Sequence, residues 1–198
     1  MAKTLLITVT ITIILLLFSS PSSSSIPFTQ SETRVYYYWN DNNGVEDLID
    51  QVCKRTPFYE LCSSTLHNNP LLSPKSDIKQ VALIMVNNIL SNATDTLNYI
   101  EALLKHTKDP NLEQALALCA ESYIPVVRFT LPQAAAAISQ GHFAFASYCI
   151  SDAVKEVNSC EGRLSKAPSD KSPLGDRNDL VQKLVDVANA IIKLLLKA

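Results

Sequence analysis

The chain has 198 residues, a hydrophobic content of 47% and a formal net charge of −2 at pH 7. This length is sufficient for one domain with a substantial core. Nucleic acids and anionic membranes attract proteins through basic faces. The slight acidic excess gives no indication of such a face, so neither is an expected partner.

The N-terminal segment has the pattern of a secretory leader. Lys3 is the only charged residue before Glu32, and an apolar run over residues 5–18 precedes a Ser- and Pro-rich stretch over residues 19–25. This order is typical of a cleaved signal peptide. A membrane anchor is the less favoured alternative, because a spanning helix needs about 20 apolar residues.

Three segments follow from this pattern. We expect residues 1–25 to be the signal peptide and residues 26–43, which are polar with an aromatic cluster at 36–39, to be a flexible arm. Residues 44–198 are expected to form the folded domain. The mature protein is predicted to be secreted, extracellular or vacuolar, and monomeric, with no membrane association.

Apolar residues recur at three- and four-residue spacing after residue 44, which predicts an all-α domain. The predicted helices span residues 45–55, 58–67, 76–105, 111–139, 142–164 and 176–196. The breaks between them coincide with the four glycines of the chain, Gly44, Gly141, Gly162 and Gly175. Kinks are expected at Pro125 and Pro132, because each proline removes a backbone donor. The short loops predict antiparallel neighbours.

A secreted chain is expected to form disulfides where geometry allows. Five cysteines are present, so at least one thiol stays free or pairs between chains. Cys53 and Cys62 are symmetric about the bend near Pro57 in the first predicted helical pair. They therefore face each other, and we predict a Cys53–Cys62 disulfide.

A second disulfide follows from counting residues around the turn near Gly141. Cys119 lies about 22 residues before this turn and Cys160 about 19 after it, so the two reach similar heights. Cys149 is more than roughly 15 Å lower at 1.5 Å per helical residue, whereas a disulfide needs Cα atoms within about 7 Å. We predict Cys119–Cys160, with Cys149 a buried, inert free thiol.

The sequence shows no catalytic or metal-binding arrangement. His67, His106 and His142 lie far apart near predicted turns or helix ends, and none is spaced from another ligand as metal sites require. We expect all three to be surface histidines, and we expect neither a metal nor a cofactor. The chain is predicted not to be an enzyme.

One modification motif is present in the first long helix. Asn92-Ala93-Thr94 satisfies the rule for N-glycosylation in a secreted chain. Asn92 is therefore a candidate glycosylation site, and the alternative is an unused motif, because a helix is a poor context for it.

Several of these stretches match a known pattern. They read CKRTPFYELC over residues 53–62, DIKQVALIMVNNIL over 77–90, ALALCAESY over 115–123 and AVKEVNSCE over 153–161. The chain resembles the plant invertase and pectin methylesterase inhibitor family over about residues 44–197. The resemblance implies an N-terminal helical hairpin beside an up-and-down four-helix bundle, with one disulfide in each part. It also implies reversible inhibition of a carbohydrate-active enzyme.

The sequence between the cysteines is more similar to that of the invertase-inhibiting branch, notably over TPFYELC and VALIMV. Members of this branch often carry Pro-Lys-Phe at the start of the third bundle helix, aimed at the active site of the enzyme. The matching residues here are Phe143, Ala144 and Phe145, which we predict to bind the target. Core packing is the alternative for both phenylalanines, and for Phe145 in particular. The alternative functions are inhibition of pectin methylesterase and a non-inhibitory recognition module.

Overall fold

The computed structural model describes residues 44–67, 69–165 and 172–197, so the predicted signal peptide and arm lie outside the described residues. Helices make up the regular structure of this part, and no strand occurs in it, which confirms the all-α prediction. The helices are α1 (Val45–Cys53), α2 (Tyr59–His67), α3 (Ile78–His106), α4 (Pro110–Pro125), α5 (Leu131–Ser139), α6 (Phe143–Leu164) and α7 (Gly175–Leu196).

Helices α1 and α2 form the predicted hairpin. The Cys53–Cys62 disulfide closes it, with the two Cα atoms 5.5 Å apart. The Tyr59 hydroxyl donates a hydrogen bond of 3.1 Å to the Asp50 carboxylate, a second link between the helices. Both cysteines are fully buried and belong to the same hydrophobic core as the buried residues of the long helices.

Helix α3 is the longest described helix, with 29 residues. It begins where the Asp77 carboxylate accepts a hydrogen bond from the backbone N–H of Gln80, which satisfies a donor that the first turn leaves open. The buried residues of α3 recur at three- and four-residue spacing, as expected of a helix that packs one face against a core. The buried residues are Val81, Ala82, Ile84, Met85, Val86, Ile89, Ala93, Thr96, Leu97 and Ile100.

The predicted helix over residues 111–139 is interrupted by a π-helical turn, Val126–Thr130, that joins α4 to α5. The backbone N–H of Leu131 donates to the Val126 carbonyl, five residues back. Pro125 and Pro132 lie on either side of this turn, so the two separate kinks of the prediction are one π-helical interruption. A π turn inserts one residue, which explains why the buried Val126 and Leu131 are five apart.

The bundle consists of α3, the α4–α5 pair, α6 and α7. Helix α3 packs on α7 and on α4–α5, and α6 packs on the same two neighbours, so α3 and α6 occupy opposite corners. The Cys119–Cys160 disulfide ties α4 to α6, with a Cα–Cα distance of 4.6 Å. These are the two disulfides of the predicted fold, and Cys149 remains a buried free thiol. One expectation was wrong: Gly162 lies inside α6 and not at a turn.

A chain of polar groups, buried at Tyr123 and Asn178 and half-buried at Glu161, crosses the bundle near the C-terminal end of α6. The Tyr123 hydroxyl in α4 donates to the Asn178 side-chain oxygen in α7 at 2.6 Å. The Asn178 side-chain nitrogen donates in turn to the Glu161 carboxylate in α6, also at 2.6 Å. Thr96 of α3 also interacts with the Tyr123 hydroxyl, so all four corners contribute one group. Burial raises the pKa of Tyr123, so the phenol keeps the proton that it donates.

We expect Tyr123→Phe to destabilise the protein by about 1–3 kcal/mol, because the buried Asn178 oxygen loses its donor. Urea unfolding followed by circular dichroism measures this change. Tyr148→Phe is the matched control, since the Tyr148 ring is 62% exposed, and surface changes of this kind cost no more than about 0.5 kcal/mol. Equal unfolding midpoints for the two variants would contradict the role given to the Tyr123 hydroxyl.

Candidate protein-docking site

The turn between α5 and α6 positions the predicted target-binding residues. The backbone N–H groups of Gly141 and His142 donate back to the carbonyls of Ile138 and Ala137, at 3.0 and 2.8 Å. These two bonds are those of a Schellman motif, which ends a helix with a left-handed residue. Gly141 supplies that residue, with φ of +79°. The chain therefore reverses within three residues and enters α6 at Phe143.

The three predicted residues at the start of α6 have different environments. Phe143 is half-buried and packs against the core, whereas Ala144 is exposed. Phe145 is 50% exposed. Core packing, the alternative for both phenylalanines, is wrong for Phe145, because half of its side chain remains in contact with solvent, whereas Phe143 does pack against the core. Contact of the three residues with a target stays a prediction.

Tyr148 extends this surface by one helical turn and was not identified from the sequence. Its ring stacks on Phe145, with centroids 6.4 Å apart and an interplanar angle of 15°. Residues three apart lie on the same helical face, and both rings are at least half exposed, with the Lys155 ammonium 6.0 Å from the Tyr148 ring centroid. The sequence contains this pair as two aromatic residues three positions apart, which could have indicated a shared face. Its exposure depends on which face of α6 the bundle buries, and the structure supplies that information.

A shallow groove of about 620 Å³ lies at the junction of the hairpin with α7. Its floor is apolar, from Phe58, Leu61 and Leu180, and charged residues surround it. The Lys183 ammonium lies 5.9 Å from the Phe58 ring centroid and pairs with Asp179 at 2.6 Å. The Lys183–Phe58 contact links α7 to the residue before α2, whereas the ion pair with Asp179 lies within α7.

Cys149 lies on the buried side of α6, directly after the exposed Tyr148. Its side chain is 3% exposed. Burial, with a smaller contribution from Asp152, raises the pKa of the thiol. A raised pKa lowers the thiolate fraction at neutral pH, and the thiolate is the reactive form. Nucleophilic chemistry at Cys149 is thus disfavoured by its surroundings.

Asn92 lies in the middle of α3 and is half-buried. Its side-chain nitrogen, the atom that would carry a glycan, donates to the backbone and side-chain oxygens of Asn88 at 2.9 and 3.1 Å. A glycan at this nitrogen would displace at least one of these bonds. Glycosylation of Asn92 stays a prediction, and the folded helix does not favour it.

The histidines are separated in the structure as they are in the sequence. His67, His106 and His142 are all exposed, and they lie at the ends of different helices. Within residues 44–67, 69–165 and 172–197, no group of His, Cys, Asp or Glu side chains has the arrangement needed to hold a metal ion. The helices in those ranges are also too short or too polar to cross a membrane.

The described residues thus form an all-α bundle with a disulfide-closed hairpin, and they expose an aromatic pair near the start of α6. Residues 47–191 match the model of the plant invertase/pectin methylesterase inhibitor family, and the chain belongs to this family. The family that we predicted from the sequence is therefore confirmed.

Two curated relatives from Arabidopsis thaliana are similar to the chain. One, described as cell wall / vacuolar inhibitor of fructosidase 1, is 35% identical over 144 residues, which cover 73% of this chain and 67% of the relative. The other, inhibitor of fructosidase 2, is 43% identical over 77 residues, which cover 38% of this chain and 42% of the relative. The second match therefore spans less than half of that relative.

Two solved structures share the fold. Both are described as crystal structures of a pectin methylesterase inhibitor from Arabidopsis, and one of them is a mutant form. The mutant form superposes with a TM-score of 0.63 and the other structure with 0.57, each at 18% identity and each over 74% of this chain and 95% of the other. At this identity the likeness shows the shared bundle and hairpin and says nothing about the target.

We expect iodoacetamide to modify Cys149 of the oxidised protein slowly at neutral pH and rapidly in denaturant, because the fold keeps the thiol buried and protonated. Intact-mass spectrometry over time measures both rates. An Ala144→Cys variant is the control, since residue 144 is exposed on the same helix, and its added thiol is expected to react at once. Rapid labelling of native Cys149 at the rate of the added thiol would contradict its burial.

Proposed function

We propose that the protein is a reversible inhibitor of an acid invertase and that it blocks the active-site cleft with the start of α6. The family assignment and the curated relatives, which are described as inhibitors of fructosidase, support this proposal. The observation that carries the site is the exposure of Phe145 and Tyr148, a stacked aromatic pair that the fold leaves uncovered. Aromatic side chains are enriched among the residues that dominate binding energies at protein interfaces.

The inhibitor is not an enzyme and acts by occupying space. Glycoside hydrolases cleave their substrates between two carboxylates in a cleft, and a rigid protein seated over that cleft excludes the sugar. Rigidity matters because every side chain or loop that must become ordered on binding weakens the complex. The Cys119–Cys160 disulfide and the Tyr123–Asn178–Glu161 chain hold the helices in one arrangement before the target arrives.

The proposed setting is the cell wall or the vacuole, the two locations in the descriptions of the relatives. Residues 1–25, as a cleaved signal peptide, would take the chain into the secretory route, and residues 26–43 would precede the inhibitory domain, 44–198. The apoplast is the favoured compartment. Both disulfides are suited to it, because they form and persist in oxidising surroundings.

Titration of the mature, oxidised protein against acid invertase and against pectin methylesterase, at mildly acidic pH, tests the target. We expect loss of invertase activity alone, with a stoichiometric end point. Loss of pectin methylesterase activity alone would assign the chain to the other branch of the family. Full activity of both enzymes would favour a recognition module that inhibits neither.

We expect Phe145→Ala to raise the inhibition constant for acid invertase by at least about tenfold, the effect typical of an aromatic anchor at an interface. Phe129→Ala is the matched control, because Phe129 is 60% exposed on the π turn, outside the proposed contact. Steady-state inhibition measures both variants, and urea unfolding checks that each remains folded. An unchanged inhibition constant for Phe145→Ala would remove α6 from the contact.

A further inference from the structure

The up-and-down topology gathers four chain segments at one end of the bundle. The Lys79 ammonium at the start of α3 lies 3.5 Å from the Ser139 carbonyl at the end of α5. The Ser147 hydroxyl in α6 bonds to the Asn189 side chain in α7 at 3.2 Å. Because these two helices are antiparallel, Phe143, four residues before Ser147, lies level with Lys193, four residues after Asn189. We call this the α6-start end; it comprises residues 71–79, 139–148 and 189–197.

The charge of the α6-start end is opposite to that of the whole chain. It contains four lysines and one aspartate, whereas the chain has a net charge of −2. The aspartate, Asp77, already accepts a hydrogen bond at the start of α3. Residues 122–151, which include α5 and the first nine residues of α6, contain no carboxylate side chain. The four lysines are Lys75, Lys79, Lys193 and Lys197.

Large apolar side chains are exposed among these lysines. The segment of residues 71–77 before α3 lies at this end, because the Gln80 side-chain nitrogen donates to the Leu71 carbonyl at 2.8 Å. Exposed apolar groups surrounded by charges are typical of protein-docking surfaces. The exposed fractions are 61% for Leu71, 50% for Phe145, 62% for Tyr148 and 50% for Leu196.

We propose that Lys79 and Lys193 are the cations that steer the α6-start end into the carboxylate-containing cleft of its glycoside hydrolase target and that determine specificity. Helix α6 lies between α5 and α7. The Lys79 ammonium contacts the last residue of α5, and Lys193 belongs to the last turn of α7. One cation is therefore associated with each of the two helices that flank α6. This inference rests on the proposed function and names the residues that select an acidic target.

The basis of the steering is electrostatic complementarity. A cleft with carboxylates and low-dielectric walls focuses a negative potential, which accelerates the approach of a cationic surface and which salt screens. Charges of this kind act mainly on the association rate and on the choice of partner. Ala144 contributes no charge at the start of α6, so the cations of this end come from other helices that the fold brings to it.

Lys79 also has a structural role, because an ammonium near the last carbonyls of a helix offsets their partial negative charge. Stability and binding therefore have to be measured separately. Lys79→Arg keeps the charge, and Lys79→Gln removes it at nearly constant length. Lys105→Gln is the matched control, since Lys105 is an exposed lysine in the last turn of the same helix, at the opposite end of the bundle.

The experiment measures the association rate of the mature, oxidised protein with acid invertase by stopped-flow, at low and at high ionic strength. We expect the Lys79→Gln, Lys193→Gln double variant to associate at least about tenfold more slowly at low salt, with the difference shrinking at high salt. Lys79→Arg and Lys105→Gln are expected to associate at the rate of the wild type. Thermal unfolding of each variant is measured alongside.

The outcomes separate this inference from the proposed function. If the wild-type protein inhibits invertase and the double variant associates at the same rate with the same salt dependence, steering by Lys79 and Lys193 is wrong and the inhibitor function stands. If the double variant loses thermal stability but binds as fast as the wild type, the lysines are structural and the inference is also overturned. A wild-type protein that leaves invertase fully active overturns both.

Discussion

The buried link between Tyr123 and Asn178 is the interaction on which the geometry of the bundle depends. It joins α4 to α7, two helices at opposite corners that do not otherwise pack closely, and it continues through Asn178 to the Glu161 carboxylate on α6. An apolar core is tolerant of small rotations, whereas a hydrogen bond of 2.6 Å between buried groups allows few of them. The polar chain therefore fixes the helical register, with the Cys119–Cys160 disulfide beside it.

The docking surface lies at the other end of α6 from this chain. Glu161 and Cys160 are near the C-terminal end of the helix, and Phe145 is near its start. A stiff helix with one end anchored by a covalent bond and a polar network presents its far end in a defined orientation. The inhibitor then enters its complex with little conformational entropy left to lose, which is the physical advantage of a disulfide-braced bundle over a flexible peptide.

Much of the fold followed from the sequence because helical periodicity is a local property. The boundaries of α3, α6 and α7 lie within two residues of the predicted ones, and counting about Gly141 placed Cys119 opposite Cys160. The π turn was missed, because Val127 and Leu131 have ordinary helical spacing in the sequence and only the structure shows that Val126 is the buried valine. The link between Tyr123 and Asn178 was also missed, because the residues are 55 apart and neither stands out in its own helix. The exposure of Phe145, likewise, depends on how α6 is rotated, which no single segment encodes.

The π turn has a consequence for the tolerance of the chain to changes in length. Each residue of an α-helix advances its side chain by about 100° around the axis. Deleting one residue from Val126–Thr130 would restore a regular helix and turn everything beyond it by that angle, so that Leu131 and Ile138 would leave the core. The prolines at positions 125 and 132 border this extra residue and keep a regular helix from forming across it. The extra residue therefore rotates α5 relative to α4, so that the apolar side chains of both helices face the core.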